Sequence, residues 1–212
     1  MYVINRFKTW FVSLAFLGLA ASCEQKTPSG SNQVNVNSSS AANEMEKNVS
    51  LGLDKSPMDM SYYPVEYPKL HMAKVVTEPL VARVIYSRPQ KDGRIIFGNV
   101  LKYGSIWRLG ANEASEIEFF KEISINNHKI NKGRYIIYCI PYENKWTIVL
   151  NEDLYTWGLK IDTTKDLYKV DVPISKTNYP FEVFTMEFQK ATRGINLVME
   201  WDSVRALLPI NF

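Results

Sequence analysis

Histidine and cysteine, the residues that most often bind transition metals, are scarce in this chain. Its 212 residues include only His71, His128, Cys23 and Cys139. No HExxH or CxxC motif is present, so the sequence predicts no zinc site and no bound cofactor.

Acidic residues leave one metal alternative open. A calcium site made only of carboxylates is conceivable around Asp162, Asp166 and Asp171. Solvated charges on a loop are the commoner use of such residues, and we expect that use here.

Motifs of the common enzyme classes are also missing. There is no glycine-rich phosphate loop and no GxSxG nucleophile elbow. A Ser-His-Asp triad would need a histidine, but His128 lies in a predicted turn and His71 precedes the first expected strand of the domain. Paired carboxylates of the glycosidase type stay open, with candidates Glu113, Glu116 and Glu118.

The chain has no basic patch or stripe. Its formal net charge is +3. If a leader containing Arg6 and Lys8 is removed, the net charge falls to about +1. The sequence therefore predicts no nucleic-acid partner.

The N-terminus is typical of an exported lipoprotein. Arg6 and Lys8 precede an apolar run over residues 10–20, shorter than the roughly 20 residues that span a bilayer. Small residues then lead to Cys23, although Ala20 stands where a lipobox usually has leucine. We expect a signal peptide over 1–22 and acylation of Cys23. The alternatives are an ordinary signal peptide or an uncleaved anchor.

Acyl chains on Cys23 would hold the chain on a bacterial membrane without a membrane-spanning helix. The predicted location is the cell envelope, at the outer membrane or facing the periplasm. Acylation would leave Cys139 without a disulfide partner, and its setting in "YIIYCIP" favours a buried, apolar role.

Two segments connect the anchor to the folded part. Residues 23–48, which include the lipidated Cys23, are rich in Ser and Asn and indicate a flexible tether. Over residues 49–76, Pro57, Pro64 and Pro68 argue against regular helix. There we expect an extended arm that packs on the domain through its tyrosines.

Residues 77–212 contain short β-branched and aromatic runs separated by turn residues. This pattern predicts a mainly β single domain, an antiparallel β-sandwich or a barrel-like fold with little helix. "NNHK" and residues 141–144 are expected turns. The expected strands are "PLVARVIYS", "GRIIFG", "EIEFFKEISI", "GRYIIYCIP", "KWTIVLN", "YTWGLKI", "DLYKVDVPI", "FEVFTMEFQ", "INLVMEW" and "DSVRALLPI".

Tryptophans could fill the core or stack on sugar rings. Trp146 and Trp201 lie in or at the ends of expected strands, which favours the core. For Trp157, in "YTWG", both possibilities stay open.

The densest polar cluster lies in "YGSIWRLGANEAS". Gly104 and Gly110 bracket a short segment that leads to Arg108, Asn112 and Glu113. As a site, these residues would supply a guanidinium fork, an amide and an acid or base. An Arg–Glu pair that closes one end of the fold is the slightly favoured alternative. A second polar stretch, "YSRPQKDGR", contributes arginines nearby.

"VIYSRPQKDGRIIFG", "YGSIWRLGANEAS", "NKGRYIIYCIP", "KWTIVLN" and the closing "MEWDSVRALLPI" resemble the DUF2911 family, from about Leu53 to the C-terminus. Ser115 stands where the family usually has threonine. The resemblance implies an exported, mostly β domain of a kind common in Bacteroidetes, and it implies no activity. The signature blocks contain the candidate ligand-binding residues Arg88, Arg94, Trp107, Arg108, Asn112 and Glu113.

Together these features favour an anchored, non-catalytic binding module for a small molecule, glycan or peptide. One alternative is a hydrolase that uses Glu113 with Arg108 and Asn112. Another is a structural protein of the envelope.

Overall fold

A computed structural model describes residues 54–212 of the chain. The expected signal peptide over 1–22, Cys23 and the rest of the tether over 23–48 lie outside these residues. The described residues belong to one compact unit. The elements are β1 Met58–Tyr63, α1 Tyr67–Met72, β2 Ala82–Ser87, β3 Glu116–Phe119, β4 Ile123–Ile125, β5 His128–Ile130, β6 Gly133–Pro141, β7 Lys145–Asn151, a 3-10 turn Thr163–Lys165, β8 Asp166–Lys190 and β9 Ile195–Ile210.

Seven strands form one antiparallel sheet in the order β1-β2-β3-β6-β7-β8-β9. The sheet curls into a half-barrel, and β4 and β5 form a separate hairpin. This confirms the prediction of a mainly β, barrel-like single domain with little helix. Among the described residues no helix has the length and apolarity needed to cross a bilayer.

Alternation of apolar residues predicts part of the core correctly. Ile117, Phe119, Ile123 and Ile125 share one parity, and all four are buried. The stretch is two strands rather than one, because the chain leaves the sheet after β3 and enters the β4–β5 hairpin. Two asparagines with positive φ, 126 and 127, form the tight turn between β4 and β5 that "NNHK" predicts.

Two of the expected strands are loops. "GRIIFG" begins and ends with glycines whose φ angles are +69° and +86°. "YTWGLKI" contains Tyr155 at φ +64° and Gly158 at φ +78°. Left-handed backbone interrupts the extended conformation, so neither run pairs along its length with a neighbour.

Four further expected strands merge into two. "DLYKVDVPI" and "FEVFTMEFQ" belong to β8, and "INLVMEW" and "DSVRALLPI" belong to β9. Asp202, at φ +50°, interrupts the alternation in the middle of β9. Core residues have odd numbers up to Trp201 and even numbers from Val204 onward, so the irregularity switches which parity faces inward.

The segment expected to be an extended arm has two regular elements in its described part, a strand and a short helix. β1 pairs with β2 along its whole length and is therefore an edge strand of the main sheet. Helix α1 begins at Tyr67, with Pro68 in its first turn. The exclusion of helix was wrong here, because the first turn tolerates a residue without an N–H donor.

The second half of β8 returns to the β1–β2 edge and helps to close the half-barrel. The backbone N–H of Phe188 donates to Ser61 Oγ at 3.3 Å. Arg88 spans the same gap, donating to Asp59 Oδ2 and Thr185 Oγ1 at 3.0 Å each and to the carbonyl of Phe184 at 3.3 Å. One arginine therefore ties β1 and β8 together.

Aromatic rings fill the interior at this end. Trp107 packs edge-on against Trp146 and Phe184, with ring centroids 5.6 and 4.8 Å apart, and stacks on Trp201 at 5.7 Å. Trp146 and Trp201 are buried as expected, whereas Trp157 is 54% exposed. Trp107 and Trp201 form the floor of the candidate site.

Candidate functional site

The signature loop, residues 103–115, immediately precedes β3 in the sequence. It lies beside β6, beyond the N-terminal end of β3. Trp107 and Cys139 exchange two backbone hydrogen bonds, of 2.7 and 2.8 Å. The buried Ser115 hydroxyl donates to the carbonyl of Leu109 at 2.6 Å. A hydroxyl at position 115 therefore holds the loop in shape, which gives a structural reason for serine or threonine there.

The backbone of this loop is strained. Leu109 has φ +52° although it is fully buried, and Asn112 has φ +57°. A left-handed conformation is uncommon for a leucine, and such strain often occurs at binding sites. The turn at Leu109 separates Arg108 from Gly110, and both of these residues line the cavity described next.

An open cavity of about 360 Å³ lies over the aromatic floor. Its size is within the range of small-molecule sites. Among the described residues its lining contains two arginines and no carboxylate. The lining includes Ser56, Arg94, Leu101, Ile106, Trp107, Arg108, Leu159 and Trp201.

Arg108 is half-buried on the wall of the cavity. Its Nη1 donates to the carbonyl of Trp157 at 3.0 Å. Burial lowers the pKa of the Arg108 guanidinium from its ordinary value. No carboxylate of the described residues forms an ion pair with Arg108, so its charge is partly desolvated and uncompensated by protein groups there.

Arg94 contributes a second cation from the loop after β2. Its Nε donates to the carbonyl of Lys91 at 2.9 Å and its Nη2 to that of Gln90 at 2.5 Å. Carbonyl oxygens fix the side chain without neutralising it. Within residues 54–212 Arg94 also has no carboxylate partner.

The two indoles in the cavity differ in their hydrogen bonding. The Trp107 indole N–H donates to the carbonyl of Gly110 at 3.2 Å. The Trp201 ring is 3% exposed, and its N–H has no partner among the described residues. A buried donor without an acceptor is unusual in proteins and calls for an explanation.

Three of the six sequence candidates line the cavity: Arg94, Trp107 and Arg108. Arg88 lies outside it and closes the half-barrel. Asn112 donates to Asp54 Oδ2 at 2.9 Å and to the carbonyl of Ser56 at 3.4 Å. It therefore positions the N-terminal segment that carries Ser56 over the cavity.

Glu113 lies apart from the arginine pair. It is exposed and lines a different depression of about 310 Å³, next to Tyr155 and Trp157. Within residues 54–212 no hydrogen bond or ion pair joins Glu113 to Arg108 or Asn112. The structure therefore does not assemble these three residues into one constellation.

The other two glutamates of the paired-carboxylate hypothesis are engaged by arginines. Glu118 pairs with Arg83 at 2.5 Å, and Glu116 lies 3.5 Å from Arg134. These contacts link adjacent strands on one face of the sheet. They give both carboxylates a structural role.

The aspartates considered for calcium contact protein groups. Asp162 caps the 3-10 turn, accepting from the Thr164 N–H at 3.0 Å. Asp166 accepts from the Tyr138 hydroxyl at 2.8 Å, and Asp171 pairs with Lys145 at 2.6 Å. Over the described part of the chain, no three His, Cys, Asp or Glu side chains cluster as metal ligands.

Cys139 is fully buried, which fits the apolar role expected for it. Burial raises the pKa of its thiol well above the ordinary value. A protonated, inaccessible thiol is a poor nucleophile.

Sequence reasoning missed most of the apolar cavity wall. Ile106, Leu159 and the cavity-facing role of Trp201 come from segments far apart in sequence. Trp201 was expected only in the core, and the structure gives it both roles.

Comparison with known proteins supports the resemblance seen in the motifs. Neither a search of curated proteins nor a search of solved structures gave a match. The model of a family described as "Protein of unknown function (DUF2911)" matches residues 69–210, about two thirds of the chain, and the chain belongs to that family.

Proposed function

We propose that this chain is an envelope lipoprotein whose β domain is a non-catalytic binding module, with the 360 Å³ cavity as its ligand site. One observation carries the proposal. Arg94, Trp107 and Arg108, which come from two separate signature blocks, line the same cavity. Residues that only stabilise a fold need not converge in this way.

The site has the features of binding rather than of covalent catalysis. Within residues 54–212 its lining contains no histidine, cysteine or carboxylate to act as nucleophile or base. The hydrolase alternative depends on Glu113, which lines another depression. No contact in the described residues favours that alternative.

A cavity-filling substitution tests the binding proposal. Ala111 lines the cavity, and Ala111→Phe would occupy part of its volume. Ala73→Phe, on the exposed end of α1, is the matched control. In a thermal-shift screen of metabolites on the full chain, compounds that stabilise the wild type and Ala73→Phe should fail on Ala111→Phe. If Ala111→Phe responds to the same compounds as its control, the ligands bind elsewhere and the proposal is wrong.

The anchor has its own test. The leader pattern and the Ser/Asn-rich segment after Cys23 support a lipid-anchored protein held off the membrane. Cys23→Ala should abolish incorporation of labelled fatty acid and release the chain from membranes. Unchanged acylation and membrane association would contradict the proposed anchor.

A further inference from the structure

We propose that the cavity binds an oxyanion, a carboxylate or phosphate group, attached to a planar apolar body. The inference rests on the proposed function, because it specifies the ligand class of the same cavity. Three observations support it: the arginine pair, the donors of these arginines that have no partner among the described residues, and the aromatic floor.

The arginines of the cavity differ from most others in the domain. Four of the described arginines pair with a carboxylate, in Arg83–Glu118, Arg88–Asp59, Arg134–Glu116 and Arg205–Glu200. Arg94 and Arg108 do not, although they line one cavity without Asp or Glu. Two cations without a carboxylate partner among the described residues, Arg108 half-buried and Arg94 exposed, favour an anion here.

Hydrogen bonds hold both arginines and leave donors available. Arg108 uses Nη1 on a carbonyl, and Arg94 uses Nε and Nη2. A guanidinium has five N–H donors, so each side chain keeps several that have no partner among the described residues. Held arginines with remaining donors suit bidentate recognition of a carboxylate or phosphate.

Apart from Ser56, the rest of the described cavity lining is apolar. Trp107 and Trp201 form the floor, and Ile106 and Leu159 belong to the wall. A planar ligand body can stack on such rings.

Matched probes separate charge from shape. Phenylacetate and phenylacetamide share a ring and differ in one charged group, and phenyl phosphate distinguishes phosphate from carboxylate. Binding to the full chain in neutral detergent is followed by tryptophan emission, since Trp107 and Trp201 line the site. We expect at least one anion to bind about tenfold or more tightly than phenylacetamide.

Substitutions locate the charge preference. Arg94→Gln and Arg108→Gln should each reduce the affinity for the anion about tenfold and leave that for phenylacetamide within about twofold. Arg193→Gln is the control, because Arg193 is exposed and outside this cavity. Equal losses in all three variants would mean that overall charge attracts the anion, and the inference would fail.

Failure of the inference and failure of the proposed function look different. If phenylacetamide binds as tightly as both anions and Ala111→Phe abolishes its binding, the cavity is a ligand site but its ligand is not an oxyanion. If none of the three probes shows saturable binding up to about 10 mM, the oxyanion inference is rejected. If the metabolite screen also finds no compound sensitive to Ala111→Phe, the binding proposal is rejected too.

Discussion

Arg88 and Arg108 carry the same side chain in neighbouring blocks of the sequence, but their partners differ. Arg88 has a carboxylate, a hydroxyl and a carbonyl from two strands. Among the described residues Arg108 donates to one carbonyl, and its side chain lines the cavity. At the scale of residues, the partners rather than the residue type separate a structural arginine from a candidate ligand-binding one.

Arg88→Gln should destabilise the domain. It removes an ion pair and two hydrogen bonds that hold β8 to β1, and partial exposure of the pair moderates the effect. We expect a loss of about 1 to 2 kcal/mol in the free energy of unfolding, measured by urea denaturation.

Arg94→Gln is the matched control for that experiment, because among the described residues its side chain bonds only to carbonyls of its own loop. Its effect should stay within about 0.5 kcal/mol. Equal losses in the two variants would contradict the role of Arg88 in closing the half-barrel.

Stability should decline in alkaline solution. Burial raises the pKa of Tyr86 from 10.0 to about 12 and holds the pKa of the Cys139 thiol well above 9.0. The unfolded chain therefore loses these protons first as the pH rises. The stabilisation is complete below about pH 8, where both groups are protonated in the folded and unfolded states, and decreases towards pH 12.

Urea midpoints measured between pH 8 and pH 12 check this expectation. Near neutral pH the urea midpoint of Tyr86→Phe should be lower than that of the wild type, because the Met186 N–H loses its acceptor. It should also make the alkaline decline shallower. A wild-type midpoint that is constant over this pH range would show that Tyr86 and Cys139 ionise equally easily in both states.

At the scale of elements, side-chain periodicity predicts faces better than it predicts strand ends. The alternation over 117–125 identifies the buried face correctly although it spans two strands. In β9 the same rule fails at Asp202, where an irregularity switches the inward parity. Sequence patterns predict which residues share a face within one register, but a bulge depends on how distant strands pair.

Gly194, in the turn between β8 and β9, is an element-scale test. Its φ is +74°, and an added Cβ would lie 2.1 Å from the carbonyl oxygen of Ile210. Gly194→Ala should cost about 3 kcal/mol or more, because it adds a backbone clash to a left-handed conformation.

Gly93 is the control, since it has φ +69° and nothing within 4 Å of the added Cβ. Gly93→Ala should cost only about 1 to 2 kcal/mol. Thermal unfolding of both variants measures the difference. Equal losses of stability in the two variants would mean that Gly194 is not in close contact with the end of β9.

At the scale of the whole molecule, the cavity exists because separate segments meet over one aromatic floor. Ser56, Arg94, Arg108, Leu159 and Trp201 come from five regions of the chain. The motifs indicated Arg94 and Arg108 as candidates, but no local pattern shows that they share a cavity. For the same reason the sequence grouped Glu113 with Arg108, whereas the left-handed turns at Leu109 and Asn112 lie between them in the structure.

A crystal structure of the chain with whichever of phenylacetate and phenyl phosphate binds more tightly tests the central claim most directly, because it locates the ligand. The account predicts the anionic group within hydrogen-bond distance of Arg94 or Arg108 and the phenyl ring against Trp107 or Trp201. A saturated crystal in which this cavity is empty and the probe lies elsewhere on the domain would contradict it.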